Sequence, residues 1–217
     1  MKSISIICLP SYEPRSPALW KKVFKHVGEP ENEVRIIRLE RDAQFPELFG
    51  DATIIASPFK ARNWMVTNFY LGSEPHNTDK SGLHKVLPWI PRFTRLAILG
   101  TGALAETLME VLIEEGHNEN YIWGRDEKKA QWFENEYNES VEAVPGEIDF
   151  SWFDATFNTI PYSNETNIWL WTAGKTRLFN LVWGPEADNF GRWQAAYAQS
   201  LVYDVEPEQC EKWMREE

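Results

Sequence analysis

Two side chains in the first half of the chain have the makings of a proton-transfer pair. Lys60 closes Ser57-Pro58-Phe59-Lys60, just after a strand-like run, and Asp79 closes Asn77-Thr78-Asp79. The pattern from Ala61 to Tyr70 predicts a helix, which would put Lys60 at its start, where the helix dipole disfavours a cation. Helix stability therefore gives no reason for a lysine there. An aspartate keeps a nearby ammonium charged and oriented, and the lysine can then exchange a proton with an alcohol or a ketone. Each residue also has a plainer reading, Lys60 as a surface lysine and Asp79 as the cap of the next helix.

A second group lies at residues 95–106. The apolar run Leu96–Leu99 stops at Gly100-Thr101-Gly102, and a helical pattern follows with Leu104, Leu108, Val111 and Leu112 on one face. This is the pattern G-x-G-x-x-A, with Ala105 in the third position. Gly100 takes the turn's backbone angles, Gly102 lets a pyrophosphate approach the backbone, and Ala105 lets helix and strand pack closely. The unpaired amides and dipole of the helix N-terminus favour an anion there. A second short strand, Tyr121-Ile122-Trp123, leads into Gly124-Arg125-Asp126. A dinucleotide fold reads the adenosine ribose at this place, with a carboxylate for a 2′-hydroxyl or an arginine for a 2′-phosphate. Both types are present, so the sequence leaves NADP and NAD open. The plainer reading is an ordinary glycine turn followed by solvated charges.

These groups need a scaffold, and the bulk numbers allow one. The chain has 217 residues, 43% of them hydrophobic, enough for one large domain or two small ones. A net charge of −11 argues against a nucleic-acid partner, whose phosphates need a basic surface, but leaves room for a small anionic substrate. No apolar stretch approaches the roughly 20 residues of a membrane span. The N-terminus runs directly into a strand-like segment with no signal-peptide pattern. Cys8 and Cys210 fit neither a metal-ligand spacing nor a disulfide framework. A cytoplasmic protein with no metal site and no membrane partner is the expectation, and no feature of the sequence fixes an oligomeric state.

The periodicities predict an α/β fold in two parts. Strands are expected at 3–9, 33–39 and 52–56, with helices at 17–27, 61–70 and 80–87. Ser16 is a candidate helix cap and Pro17 suits a first turn. Past Pro88 and Pro91 come a strand at 96–99, a helix at 103–116, a strand at 121–123 and a helix at 126–137. Later strands fall at 154–161 and 178–183, and helices at 187–201 and 206–215. The expected division is a substrate-binding α/β domain over 1–90, a Rossmann-like dinucleotide domain over 91–200, and a C-terminal helix over 201–217 that packs back on the first.

In this order the motifs resemble those of the shikimate/quinate dehydrogenases. Pro14-Arg15-Ser16-Pro17 is similar to that family's S-x-S-P loop, and Ile55-Ala56-Ser57-Pro58-Phe59-Lys60 to its V-T-x-P-x-K motif. Asn77-Thr78-Asp79-Lys80-Ser81-Gly82 matches N-T-D-x-x-G in full. Gly124-Arg125-Asp126 with Lys129-Ala130 resembles the N-R-T segment and the K-A after it. Asp154 through Asn158 to Pro161 resembles D-x-x-x-N-A-T-P, and Gln194-Ala195-Ala196-Tyr197 resembles Q-A-x-x-x-F. The resemblance implies a bilobed NAD(P)-dependent oxidoreductase that transfers a hydride between nicotinamide and a small cyclic hydroxy or keto acid. It implies Lys60 and Asp79 as the catalytic pair, and Ser16, Thr78 and Gln194 as substrate-binding residues. It further implies that Gly100, Gly102, Ala103, Arg125 and Asp126 bind the cofactor, with Asp126 in place of a threonine.

The chain also departs from that pattern. Pro14 stands for a serine, Ala56 for a threonine and Trp183 for a tyrosine, and the stretch before Gln194 is shortened. The segment between Lys60 and Asp79 is short, with no visible counterpart of a further substrate-binding asparagine. A site that has lost hydroxyl-holding groups discriminates poorly among polyhydroxylated rings. The competing expectation is a degenerate relative that binds a nucleotide or metabolite in a regulatory or scaffolding role.

Overall fold

The computed structural model describes residues 2–10, 13–40, 51–55, 61–62, 66–87, 90–92, 94–160, 177–182 and 185–216. The chain forms two compact units. One combines Met1–Lys85 with Phe190–Glu217, and the other is Val86–Asn189. The return to the first unit thus falls at Phe190, ahead of the expected 201.

The first unit begins with alternating apolar residues that form β1 (Ser3–Cys8). Helix α1 (Ser16–His26) follows, and then β2 (Glu33–Arg38) and β3 (Ala52–Ile55). Both β2 and β3 run parallel to β1 and flank it. Ser16 is the first residue of α1 rather than its cap. Arg15 holds the cap position, no side chain bonds the free amides, and Pro17 fills the first turn.

The expected helix over 61–70 is not formed. Ala61–Arg62 (β4) pairs with Val66–Thr67 (β5) as a short antiparallel ribbon. Phe69–Leu71 (β6) then pairs with β3 on one side and with Glu74–His76 (β7) on the other. β-Branched Val66 and Thr67 and aromatic Phe69 and Tyr70 favour extended backbone once a partner strand is available. Gly72, at φ +58°, supplies the left-handed residue of the β6–β7 turn. The sheet order is β2-β1-β3-β6-β7.

Helix α2 (Thr78–Val86) follows the hairpin. Its cap is Asn77, whose Oδ1 accepts the Lys80 amide at 3.1 Å, so Asp79 is left for another task. The C-terminal segment adds α5 (Pro185–Tyr203) and α6 (Pro207–Arg215). From α5, Ala198 joins Ile4, Trp20, Phe24, Ala52 and Phe69 in one buried cluster. Ala195 and Ala196 join Val23 of α1 and Cys210 and Met214 of α6 in a second. Alanine on this face lets the helix lie close to the bulky aromatics of α1 and β6.

The second unit is a parallel sheet of five strands in the order β10-β9-β8-β11-β12. They are β8 (Leu96–Leu99), β9 (Asn120–Trp123), β10 (Val141–Ala143), β11 (Ala155–Asn158) and β12 (Arg177–Asn180). Every residue of β8 and β11 is buried, the signature of central strands covered on both faces. Helix α3 (Ala103–Glu114) links β8 to β9, and α4 (Glu127–Tyr137) leads from β9 toward β10. Leu108, Met109, Val111 and Leu112 form the buried face of α3. The chain leaves β8 toward β9 and β10, then returns to β11 and β12 on the other side. The β8/β11 junction is therefore the topological switch point, where open α/β sheets hold ligands beyond the carboxyl ends of their strands.

Among the described residues, no helix is long and apolar enough to cross a membrane. No group of three His, Cys, Asp or Glu side chains there is placed to hold a metal ion.

Candidate functional site

In the first unit, a buried carboxylate lies at the start of α2. Asp79 is fully buried. A buried carboxylate is costly unless donors reach it, and two side chains among the described residues do. Asn68 Nδ2 donates to Asp79 Oδ1 at 2.8 Å, and Gln194 Nε2 donates to the same oxygen. The N-terminal end of the α2 dipole favours the negative charge as well. Asn68 precedes β6 and reaches across the hairpin. Its Oδ1 accepts the Thr78 amide at 2.8 Å, and its Nδ2 also lies 3.0 Å from Thr78 Oγ1.

The structure thus brings Thr78, Asp79 and Gln194 together. Asn68, which sequence reading passed over, joins them. Asn68 lies in the short segment between Lys60 and Asp79, where the sequence shows no visible counterpart of a further substrate-binding asparagine. Asn68 is hidden in sequence because only the β6–β7 hairpin brings it beside α2. Ser16, half-buried at the start of α1, makes no hydrogen bond to this cluster among the described residues. Lys60, Ala56 and Trp183 lie outside the described residues.

Gln194 is brought to Asp79 by a close helix crossing. A Cβ on Gly82 of α2 would stand 3.1 Å from the Phe190 ring and 3.2 Å from the Gln194 amide nitrogen. The glycine of N-T-D-x-x-G therefore sets how near α5 approaches. Farther along α2, Lys85 meets Glu208 of α6 at 2.6 Å. This hydrogen-bonded pair raises the lysine pKa and lowers the carboxyl's.

In the second unit, the glycine turn forms as its spacing predicts. Gly100 has φ +113°, a conformation in which a side chain is strained. A Cβ there would also lie 2.4 Å from Thr159 Oγ1. Gly102 is extended and caps α3 without a side-chain bond, so no cap side chain claims the amides that begin at Ala103. A Cβ on Gly102 would meet nothing within 4 Å among the described residues. Among the described residues nothing fills the space in front of this backbone, as a phosphate cradle requires.

The end of β9 lies against the same turn. The Gly100 amide donates to the Trp123 carbonyl at 2.8 Å. A Cβ on Gly124 would come within 2.6 Å of Thr101 Cγ2, so Gly124 is the packing glycine that lets the two segments touch. Beyond it, Arg125 is exposed and pairs with no group among the described residues. Asp126 caps α4 by accepting the Lys129 amide at 3.3 Å, and Lys129 Nζ lies 3.9 Å from its other oxygen. The two candidate ribose readers thus stand in different states, one uncommitted and the other tied to its helix.

The arrangement has parallels among solved structures. Shikimate 5-dehydrogenase from Thermus thermophilus, in complex with NADP(H) and shikimate, superposes with a TM-score of 0.72. The two are 19% identical over 99% of both chains. The chain has the shikimate dehydrogenase fold. Mycobacterium tuberculosis shikimate dehydrogenase gives a TM-score of 0.75 at 14% identity, again over 99% of both chains. Quinate dehydrogenase from Corynebacterium glutamicum in complex with NAD gives 0.68 at 16% identity, over 99% of this chain and 98% of that one. In sequence, residues 95–163 match the family described as NADP oxidoreductase, coenzyme F420-dependent. That match spans β8 through β11, the segment holding the glycine turn. No curated protein matches the sequence. In the shikimate dehydrogenase fold adopted here, the carboxylate cluster belongs to the first unit and the glycine turn to the second.

Proposed function

We propose that this chain is an NAD(P)-dependent dehydrogenase of small cyclic hydroxy and keto acids of the shikimate or quinate kind. The observation that carries the reading is the buried Asp79 oxygen held by both Asn68 and Gln194. A carboxylate fixed by two amides is set to orient a cation or a substrate hydroxyl beside it. The relatives' own ligands, shikimate and NADP(H) in one and NAD in another, support the substrate and cofactor classes.

In this reading Lys60 gives and takes the proton of the reacting alcohol, and Asp79 keeps its ammonium oriented. Asn68, Thr78, Gln194 and Ser16 supply polar groups for the ring's substituents. The open backbone at Gly102 and Ala103 fits a pyrophosphate. When bound, the nicotinamide supplies or accepts the hydride. Arg125 faces a 2′-phosphate, and Asp126 is already committed to capping α4 and is offset by Lys129. That division favours NADP over NAD. The acidic charge suits a small-molecule partner better than a nucleic acid.

Titration with NADPH and NADH, followed by shikimate and quinate turnover, tests the reading. The expected result is tighter NADPH binding, with turnover abolished by Lys60→Ala while nucleotide binding persists. Failure of both nucleotides to bind overturns it. Tight binding without turnover of any cyclic hydroxy acid would instead favour the degenerate binding relative.

A further inference from the structure

The carboxyl ends of the two strands beyond the switch point carry asparagines. Asn158 ends β11 and Asn180 ends β12, and they are register partners; Asn158 also stands opposite Leu99, the last residue of β8. Both are buried, at 0% and 6% exposure. Buried parallel strands ordinarily use Val, Ile or Leu at such places, because a buried amide left unpaired costs about 1–3 kcal/mol. Two adjacent buried amides therefore call for a geometric reason.

Their hydrogen bonds supply one. Asn158 Nδ2 donates to Asn180 Oδ1 at 3.2 Å and to the Ile160 carbonyl at 3.2 Å, while Asn158 Oδ1 accepts the Ile160 amide at 3.0 Å. Asn180 Oδ1 also accepts the Val182 amide at 3.3 Å. The amide pair thus holds the first residues after both strands. Between its anchor points, Thr159 donates twice to the Leu99 carbonyl, from its amide at 2.9 Å and from Oγ1 at 2.7 Å. Leu99 is followed by Gly100, which has room for the Thr159 hydroxyl only because it lacks a Cβ.

We infer that Asn158, Asn180 and Thr159 are positioning residues that set the nicotinamide half of the dinucleotide site. The inference rests on the dinucleotide reading above. At a switch point the dinucleotide lies across the crevice. Its adenosine end is read on the β9 side, at Gly124–Asp126, which leaves the β11 side for the nicotinamide end. The asparagine pair and Thr159 stitch that side to the glycine turn where the backbone ladder stops. They act through the placement of the 158–160 backbone rather than by touching the reacting atoms.

Two probes separate this role from general loosening. NADPH spans both halves of the site, and 2′-AMP occupies the adenosine end alone. Asn180→Ala and Thr159→Val are each expected to weaken NADPH binding by about tenfold or more, a loss of about 1.4 kcal/mol. Their 2′-AMP affinity should stay within about twofold of the parent. Thr159→Ser keeps the hydroxyl and should bind NADPH like the parent. The Thr159 variants leave the amide pair intact, so they carry the test if Asn180→Ala does not fold. Equal losses for both probes, or no loss of NADPH binding in either variant, overturn the inference. A parent chain that binds neither NADPH nor NADH fails differently: it removes the dinucleotide reading, and this inference with it.

Discussion

Asn68 Nδ2 lies 2.8 Å from Asp79 Oδ1, and the same side chain's Oδ1 lies 2.8 Å from the Thr78 amide. One asparagine thereby orients the carboxylate and ties down the helix start that carries it. Replacing Asn68 with Ala strips a buried carboxylate of one donor and a helix amide of its acceptor. The expected cost is about 1–3 kcal/mol in unfolding free energy. On the proposed function, dehydrogenase turnover should also fall sharply, because Asp79 is no longer aimed. Denaturant unfolding and steady-state kinetics on the same preparation check both. Unchanged turnover would remove Asn68 from the site.

Gly82→Ala tests the crossing of α2 and α5. Its added methyl would press on the Phe190 ring and on the Gln194 backbone, and backbone does not yield cheaply. Overpacking of this kind costs about 1–3 kcal/mol. Here it also moves Gln194 away from Asp79. A rise in KM for the cyclic acid with little change in nucleotide affinity is the expected signature.

Gly100→Ala attacks the turn in the other unit. The substitution forces a side chain into φ +113° and toward Thr159 Oγ1. Strain of this sort costs about 1–3 kcal/mol. NADPH titration should show binding lost or strongly weakened, while circular dichroism retains the α/β signature. Tight NADPH binding by this variant would sink the phosphate role of the turn.

Much of this second unit was legible in the sequence, because its signals are local. Four apolar residues, a glycine that must take positive φ, and the helical spacing of Leu104 to Leu112 each report on their own neighbourhood. The β6–β7 hairpin was not. Ala61 to Tyr70 holds no glycine or proline, and its apolar spacing passes for a helix until β3 offers an edge for pairing. With the hairpin unseen, Asn68 had no place in the site. The return point at Phe190 was hidden for another reason. Helix α5 runs unbroken through it, so no change of period marks it. The Ser16 cap failed because Pro17 admits a helix start one residue earlier, with Arg15 at the cap.

Acid should weaken the fold through His117. This imidazole is 5% exposed, and its Nδ1 has no hydrogen-bond partner among the described residues. Burial lowers its pKa below the ordinary 6.5; Glu115 opposes the shift and Arg92 adds to it. The unfolded chain therefore takes up a proton more readily than the folded one. Stability from this group is complete above about pH 6.5 and is lost progressively below it. Urea midpoints measured between about pH 7.5 and 5.5 should fall toward acid, and His117→Gln should flatten the slope.

Both thiols should be silent in the native protein. Cys8 and Cys210 are fully buried, and burial raises both, Cys210 to about 11. A thiol-reactive chromogenic disulfide is expected to label neither cysteine in buffer and both in guanidinium chloride. Fast labelling of Cys8 in buffer would reveal local opening at the carboxyl end of β1.

The first unit is assembled from two segments that flank the second in the chain, and this sets an order of events at the ribosome. Ile4, Trp20, Phe24 and Phe69 emerge before the second unit, but Ala198, which completes their cluster, emerges only after it. The parallel sheet between them is finished first. Until α5 appears, a nascent chain exposes aromatic surface in its first unit, and contacts of such long sequence separation form slowly. The interval between synthesis of Phe69 and of Ala198 is when this protein most needs a chaperone.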